Sequence, residues 1–230
     1  MSDVLNWREP NLVSDATVIV QGLGTFRVRG RSDDLSHLVP GNSKPLRLII
    51  AEHVRPGDTV VDAGANIGVV SVILANMVGP EGRVIAVEMM PDTAACLRHN
   101  LGLNAADNVT VIESALSDTA GQIVHASVRP GQYGQASIAN QGSQSDALQI
   151  EVRTTTLDEV TAELSSIAFL KMDLEGVEHI ALAGARETLK RTNVVFFESW
   201  RPDGGDAARI LRESGFRLSQ VDGRNFLGVR

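Results

Sequence analysis

The sequence predicts an α/β protein built on a doubly wound, mostly parallel sheet of seven strands, with helices on both faces and an antiparallel strand at its C-terminal end. Short, continuously apolar runs alternate with longer stretches of helical spacing, a pattern typical of a buried parallel sheet. Glycine-bearing or polar turns separate the two kinds of segment. The chain has 230 residues, of which 43% are hydrophobic, and this is enough to bury one large core.

The predicted elements follow one another in a Rossmann-like order. The parallel strands are the apolar runs Thr59–Val61, Arg83–Val87, Val109–Ile112, Ala168–Met172 and Val194–Phe197. Helices are predicted over Gly68–Met77, Asp92–Leu103, Leu157–Leu164, Val177–Lys190 and Gly205–Ser214. We expect two further strands, Phe216–Val221 and Asn225–Val229, to close the sheet as a hairpin.

A short extension precedes this domain. Thr17–Arg29 alternates around two glycines, which predicts a hairpin, and Pro45–Val54 has the spacing of a helix. We place the extension, a hairpin with a cap, at residues 1–45 and the main domain at 46–230.

One long segment departs from the strand-and-helix pattern. Ser127–Leu148 is rich in Gly, Gln, Ser and Asn, while its flanks, Gln122–Ala126 and Gln149–Arg153, have the composition of strands. A loop of this length inside a domain is usually functional or disordered. The sequence leaves open a mobile surface loop and a substrate lid.

The composition excludes several classes of protein and site. A net charge of −7 provides no general basic surface for nucleic acid or for anionic membranes. The single cysteine, Cys96, excludes an internal disulfide framework and a zinc site of four thiolates. No apolar run reaches the ~18 residues of a membrane helix, and Met1–Pro10 has no signal-peptide core. We therefore expect a cytoplasmic protein with neither a nucleic-acid nor a membrane partner.

A glycine-bearing turn after the first parallel strand predicts a ligand site. Gly64 and Gly68 allow the backbone to approach a ligand closely at the carboxyl end of that strand. Asn66 stands where a dinucleotide fingerprint requires glycine, and no phosphate-loop lysine follows. The turn therefore favours a nucleoside ligand that lacks a pyrophosphate.

Glu88 supports a nucleoside site. It ends the second parallel strand and lies about 20 residues beyond Gly68, the spacing expected of a ribose-binding acid. A carboxylate at this strand end can accept hydrogen bonds from both ribose hydroxyls.

With these residues, the chain resembles the class I S-adenosylmethionine-dependent methyltransferases and, more narrowly, the FkbM-type family. The resemblance covers roughly Leu46 to Glu198. It rests on the turn Asp62-Ala-Gly-Ala-Asn-Ile-Gly68, on Glu88, on Ser114-Ala-Leu-Ser-Asp118, and on Lys171-Met-Asp-Leu-Glu-Gly-Val-Glu178, the most specific block.

The resemblance implies S-adenosylmethionine as the cofactor and makes residues 46–230 its methyltransferase domain. It implies that Asp62, Gly64, Asn66 and Gly68 surround the methionine portion, with Ser71 near the carboxylate end. Glu88 would hold the ribose, and Asp173 would also border the cofactor. Adenine would lie beside Met89, Ser114 and Ala115.

An acidic segment follows the strand that ends at Met172. Asp173, Glu175 and His179 are the candidate catalytic residues, since a carboxylate or an imidazole can accept the proton of a hydroxyl nucleophile. A divalent metal such as Mg²⁺ is the alternative, with Asp173, Glu175 and Glu198 as candidate ligands.

Three other charged residues receive structural interpretations from the sequence. Glu178 stands in a first helical turn, where an acid offsets the helix dipole. Lys171 is expected to be solvated or to snorkel. His37 is expected to be structural or exposed, unless it lines the entrance to the site.

The resemblance therefore implies an O-methyltransferase that acts by in-line transfer on a small-molecule hydroxyl. The resemblance implies a sugar, a polyketide or another product of secondary metabolism as the acceptor. An N-methyltransferase acting on a peptide or amine, and a non-catalytic cofactor-binding scaffold, are the alternatives. The Ser127–Leu148 loop is a candidate interface for a homodimer.

Overall fold

A computed structural model describes residues 11–39, 41, 43–138 and 147–230 of the chain. The expectation for Met1–Pro10, and that for residues 139–146 of the glycine-rich loop, lie outside these residues.

The strands end close to where the apolar runs end. In chain order they are β1 Ala16–Val20, β2 Gly24–Val28, β3 Thr59–Ala63, β4 Arg83–Glu88, β5 Val109–Glu113, β6 Ala115–Leu116, β7 Ile123–Val128, β8 Leu148–Thr155, β9 Ile167–Met172, β10 Thr192–Glu198, β11 Arg217–Gln220 and β12 Asn225–Val229.

The α-helices connect these strands. They are α1 Lys44–His53, α2 Val69–Val78, α3 Pro91–Leu103, α4 Leu157–Val160, α5 Glu178–Ala183, α6 Arg186–Lys190 and α7 Gly205–Glu213. Short 3₁₀ helices span Asp34–Leu38 and Tyr133–Gln135.

The main sheet confirms the predicted fold class. Its seven strands lie in the order β11-β12-β10-β9-β3-β4-β5. Strands β10, β9, β3, β4 and β5 are mutually parallel, whereas β12 runs antiparallel to β10 and forms a hairpin with β11. The carboxyl ends of β4, β3, β9 and β10 therefore meet at one edge, where open α/β sheets bind ligands.

Helices cover both faces of this sheet because alternate strand residues point to opposite sides. Val60 of β3 packs into a core with α1, α2 and α3, while Val61 packs into a second core with α5, α6 and α7.

The N-terminal hairpin docks on α3 through two asparagines. The fully buried Asn100 accepts a hydrogen bond from the Arg27 backbone N–H at 2.7 Å and donates to the Ile67 carbonyl at 2.8 Å. Asn104 accepts from the Thr25 N–H at 2.8 Å. The extension is thereby fixed beside the segment that joins β3 to α2.

The prediction of a single helix over Val177–Lys190 is wrong, because the helix is interrupted between α5 and α6. The Gly184 carbonyl accepts the Asp158 N–H at 3.0 Å, and the Asp158 carboxylate accepts the Thr188 N–H at 2.7 Å. Since Asp158 thus binds on both sides of the break and satisfies the start of α6, the two short helices replace one long helix.

The helix predicted over Leu157–Leu164 is also shorter than expected. Helix α4 ends at Val160, and the next residue, Thr161, donates its hydroxyl to the Leu157 carbonyl at 2.9 Å. The Arg191 guanidinium donates to the Leu164 carbonyl at 2.6 Å. Beyond Val160 the backbone continues as turns, in which the Leu164 N–H donates to the Thr161 carbonyl at 2.9 Å.

The flanks of the glycine-rich loop are strands, as predicted. Strands β7 and β8 pair antiparallel and form a small three-stranded sheet with β6. Among the described residues, no helix is both long enough and apolar enough to cross a bilayer.

Candidate active site

A cavity of about 330 Å³ opens at the carboxyl ends of the central parallel strands. This volume lies within the range of small-molecule sites. Strand ends, the acidic segment after β9, the N-terminal extension and the glycine-rich loop all contribute to its wall. The predicted residues that line it are Gly64, Asn66, Glu88, Met89, Ser114, Ala115, Asp173, Glu175 and Glu198.

The turn between β3 and α2 forms one side of the cavity. Gly64 has a φ of +80°, and a Cβ atom built on it would collide with the carbonyl oxygen of Asp173. Asn66 also adopts a left-handed conformation, with a φ of +49°. The N–H groups of Gly64 and Ala65 both donate to the Val87 carbonyl at 2.9 Å. Strand β4 thus holds the turn in a conformation that favours glycine.

Glu88 ends β4 and borders the same turn. Its Oε2 accepts the Asn66 N–H at 2.9 Å, and its Oε1 accepts the Met90 N–H at 2.8 Å. The residue is 8% exposed, and burial raises the pKa of its carboxyl. Each carboxylate oxygen has a second lone pair that can bind a ligand hydroxyl.

Behind the turn, Asp62 is fully buried and does not line the cavity. The Ser71 hydroxyl donates to its Oδ2 at 2.6 Å, and the Lys171 Nζ lies 3.2 Å from its Oδ1. Asp62 and Ser71, predicted to border the cofactor, therefore lie beneath the cavity wall. Gly68 is likewise absent from that wall; it is the N-cap residue that precedes α2, with a φ of +91°, and packs on Leu97.

The expectation of a solvated Lys171 is wrong. Its side chain is 6% exposed, and Nζ donates to the Gly64 carbonyl at 2.6 Å. Burial opposes the charged form, but the carboxylates of Asp62 and Asp173 outweigh it and raise the pKa of Lys171. Lys171 lines the cavity together with Asp173. Side chains two residues apart in a strand point to the same side, so the sequence contained a signal that Lys171 lies on the side of Asp173.

Three carboxylates meet at an adjoining side of the cavity. One oxygen each from Asp173, Glu175 and Glu198 lies within 4.8 Å of the others. Burial, and then the neighbouring charge of Asp173, raise the pKa of Glu175 to about 8 and that of Glu198 to about 7. This cluster could exchange a proton near neutral pH, and its oxygens could also hold a hard cation.

Glu178 closes the loop that carries this cluster. It is buried, and its Oε1 accepts the Leu174 N–H at 2.7 Å. Burial raises the pKa of its carboxyl. Glu178 therefore binds a backbone N–H of the loop before α5, in addition to any interaction with the helix dipole.

His179 is not brought to the cavity. It follows Glu178 on α5 but is exposed to solvent, and it is absent from the cavity wall. In the first turn of α5, the side chain of Glu178 is buried and that of His179 points to solvent. The predicted catalytic role of His179 therefore has no support from its position.

The N-terminal extension and the glycine-rich loop form a roof, defined here as His37 with residues 133–138. The Nε2 atom of His37 lies 3.0 Å from the Asn66 Nδ2, and the Asp33 carboxylate accepts the Gly134 N–H at 3.1 Å. The Ser137 hydroxyl donates to the Glu175 carbonyl at 3.0 Å. His37 therefore lines the cavity, and the roof contacts both the turn and the acidic cluster.

Other residues of the cavity wall were missed by the sequence analysis. They come from distant parts of the chain and carry no local motif, and they include Leu46, Tyr133, Phe196, Asp222 and Asn225.

Substitution of Gly64 by alanine should disrupt the turn. The added Cβ meets backbone, which cannot move aside as a flexible side chain can. Gly57 is the matched control, because it has a similar φ of +86° and open space around its Cβ position. We expect Gly57→Ala to cost about 1–2 kcal/mol in unfolding free energy, and Gly64→Ala to cost clearly more in urea denaturation. Equal losses would contradict this account of the turn.

Glu175 should make the protein less stable as the pH rises. Its folded pKa of about 8 exceeds the ordinary value of 4.5, so between these values the unfolded chain releases the proton more readily. Glu175→Gln should therefore raise Tm by a few degrees at about pH 8 and leave it unchanged at about pH 5. The control, Glu163→Gln at an exposed site, should show no such trend. A pH-independent difference would refute the assignment.

Comparisons with known proteins identify related methyltransferases. The methyltransferase FkbM domain matches residues 62–218. The 2-O-methyltransferase NoeI of Sinorhizobium fredii is 29% identical over 166 residues, which cover 66% of this chain and 67% of that protein. An arsenite methyltransferase of Halobacterium salinarum is 43% identical over 54 residues, 24% of this chain and only 14% of that protein.

Among solved structures, the precorrin-6y C5,15-methyltransferase of Geobacter metallireducens shares the fold. Its TM-score is 0.51 at 15% identity, with 80% of this chain and 87% of that chain covered. Because the FkbM match spans well over half of the sequence, including the turn, Glu88 and the acidic cluster, the chain belongs to the FkbM family of S-adenosylmethionine-dependent methyltransferases.

Proposed function

We propose that this methyltransferase acts on a hydroxyl group of a small molecule and binds S-adenosylmethionine along the turn between β3 and α2. The observation that carries the proposal is the composition of the cavity. A buried acid beside a glycine turn forms one side of the wall, and the adjoining side is a cluster of carboxylates in which Glu175 and Glu198 have raised pKa values.

The residues of the first side fit the cofactor that the family implies. Both Glu88 oxygens are anchored by backbone N–H groups and keep lone pairs for the ribose hydroxyls. The Asn66 Oδ1 is buried without a hydrogen-bond partner among the described residues, so it can accept from a ligand donor. Met89 and Ala115 offer apolar surface for adenine.

The cofactor, when bound, supplies the electrophilic methyl group and a good leaving group. The chain must hold the acceptor oxygen about 3–3.5 Å from the methyl carbon and accept its proton. Glu198, with a pKa of about 7, is suited to that proton near neutral pH, and Asp173 lies within the same cluster. We assign the acceptor hydroxyl to this side of the cavity.

A small acceptor is consistent with the volume of the cavity and with the roof above it. The similarity to a protein named a 2-O-methyltransferase supports oxygen as the methylated atom. A panel of hydroxyl and amine acceptors, incubated with methyl-labelled cofactor and analysed by mass spectrometry, tests this choice. Label on amines alone would overturn it.

Loss of the Glu88 charge should weaken cofactor binding. A hydrogen bond to a charged group contributes roughly 1.5–3 kcal/mol, so Glu88→Gln should raise the Kd for S-adenosylhomocysteine about 10- to 100-fold in calorimetry. Glu113→Gln is the matched control, because Glu113 is the register partner of Glu88 on β5 but does not line the cavity. Unchanged affinity in Glu88→Gln would refute the ribose assignment.

Loss of the Asp173 carboxylate should affect turnover rather than cofactor affinity. We expect Asp173→Asn to lower kcat by about 10²- to 10⁴-fold while the Kd for S-adenosylhomocysteine stays close to the wild-type value. Asp206→Asn, on the exposed face of α7, is the control. Wild-type rates in Asp173→Asn would remove Asp173 from the chemistry.

Treatment with a chelator distinguishes proton transfer to a carboxylate from catalysis assisted by a metal ion. Lys171 lies 4.0 Å from the Asp173 carboxylate and Arg224 lies 3.7 Å from that of Glu198, so positive charge is already present at two of the three candidate ligands. We therefore expect turnover to survive dialysis against EDTA. Loss of turnover that Mg²⁺ restores would favour the metal.

A further inference from the structure

Lys171 is a buried cation in the cavity wall that the proposed chemistry does not use. It is the register partner of Asp62 across β9 and β3, so the two side chains lie on the same face of the sheet. Its Nζ lies 2.6 Å from the Gly64 carbonyl oxygen, 3.4 Å from that of Ala63 and 3.2 Å from the Asp62 Oδ1. Its shortest contact is therefore with the backbone of the turn rather than with the carboxylate.

This contact completes a set of bonds that holds consecutive peptide units of the turn. The Gly64–Ala65 peptide is bound at both ends, because its carbonyl accepts from Lys171 and its N–H donates to the Val87 carbonyl. The next N–H, that of Asn66, donates to Glu88. Without Lys171, the Gly64 carbonyl would lose its partner, and this peptide would be held through its N–H alone among the described contacts.

We propose that Lys171 is a positioning residue for the cofactor: its ammonium group fixes the Gly64 carbonyl and so shapes the turn that receives the amino-acid portion of S-adenosylmethionine. This inference rests on the proposed function. It distinguishes Lys171 from Glu88, which holds the opposite side of the turn and faces the ribose. It also distinguishes Lys171 from a simple counter-ion to Asp62, because Nζ lies 2.6 Å from the Gly64 carbonyl oxygen and 3.2 Å from the nearest Asp62 oxygen.

Two ligands test which part of the site depends on Lys171. S-adenosylhomocysteine carries the amino-acid portion, whereas 5′-methylthioadenosine lacks it and keeps the nucleoside. In Lys171→Met we expect the Kd for S-adenosylhomocysteine to rise about 10- to 100-fold, while the Kd for 5′-methylthioadenosine changes by less than about threefold. Equal losses for the two ligands would overturn the proposal, because they would indicate a general collapse of the site.

A second variant guards against a folding defect. Lys171→Met leaves the Asp62 carboxylate buried without its cation, which is strongly destabilising. The double variant Asp62→Asn, Lys171→Met removes both charges and should recover much of the lost Tm. If Lys171 positions the turn, the double variant keeps the weakened affinity for S-adenosylhomocysteine. Recovery of wild-type affinity would show that Lys171 serves only as the counter-ion of Asp62.

Lys190→Met is the control for loss of a lysine, because Lys190 is exposed on α6 and pairs only with Glu187 in the described structure. It should bind both ligands as the wild type does. Measurements on the wild-type protein distinguish a failure of the proposed function from a failure of this inference. Failure of the wild type to bind S-adenosylhomocysteine would overturn the proposed function and this inference together, whereas wild-type binding with unchanged affinity in Lys171→Met would overturn this inference alone.

Discussion

The Gly64–Asn66 segment is bound by the strands on both sides of β3, and the shape of the cavity depends on this arrangement. Val87 and Glu88 of β4 accept its N–H groups, and Lys171 of β9 donates to its carbonyl. Hydrogen bonds to charged groups are stronger than those between neutral groups. Glu88 on one side and Lys171 on the other therefore hold the turn firmly. A backbone fixed in this way can present its polar groups to a ligand without reorganising.

The carboxylates around the cavity illustrate how burial separates the roles of similar side chains. Asp62 is sealed beneath the wall and paired with Lys171, and Glu88 is anchored by two N–H groups. Glu175 and Glu198 instead share a half-buried cluster with Asp173, where burial and mutual repulsion raise their pKa values to about 8 and about 7. The cluster is electrostatically unfavourable when fully ionised, and such an arrangement is typical of a site that binds a proton or a cation.

The extension and the glycine-rich loop connect these two sides. Asn100 and Asn104 dock the hairpin on α3, which brings His37 to the turn. Ser137 then bridges from the loop to the backbone of Glu175. In the described part of the chain, residues far apart in sequence thus enclose a cavity whose floor is made of strand ends.

Periodicity and turn chemistry were sufficient to predict the parallel sheet, its helical layers and the hairpins, because alternation within a strand and helical spacing are local properties. The same rules place Gly64, Glu88, Asp173 and Glu198 at one edge, since each follows or ends a parallel strand. They could not predict the break at Gly184, which depends on the bond that the Asp158 N–H donates and the bond that its carboxylate accepts, or the outward position of His179. Nor could they show that Asp62 lies behind the wall and that Lys171 is buried against it. Those features depend on which strands are neighbours and how closely they pack, and only the tertiary structure determines such distances.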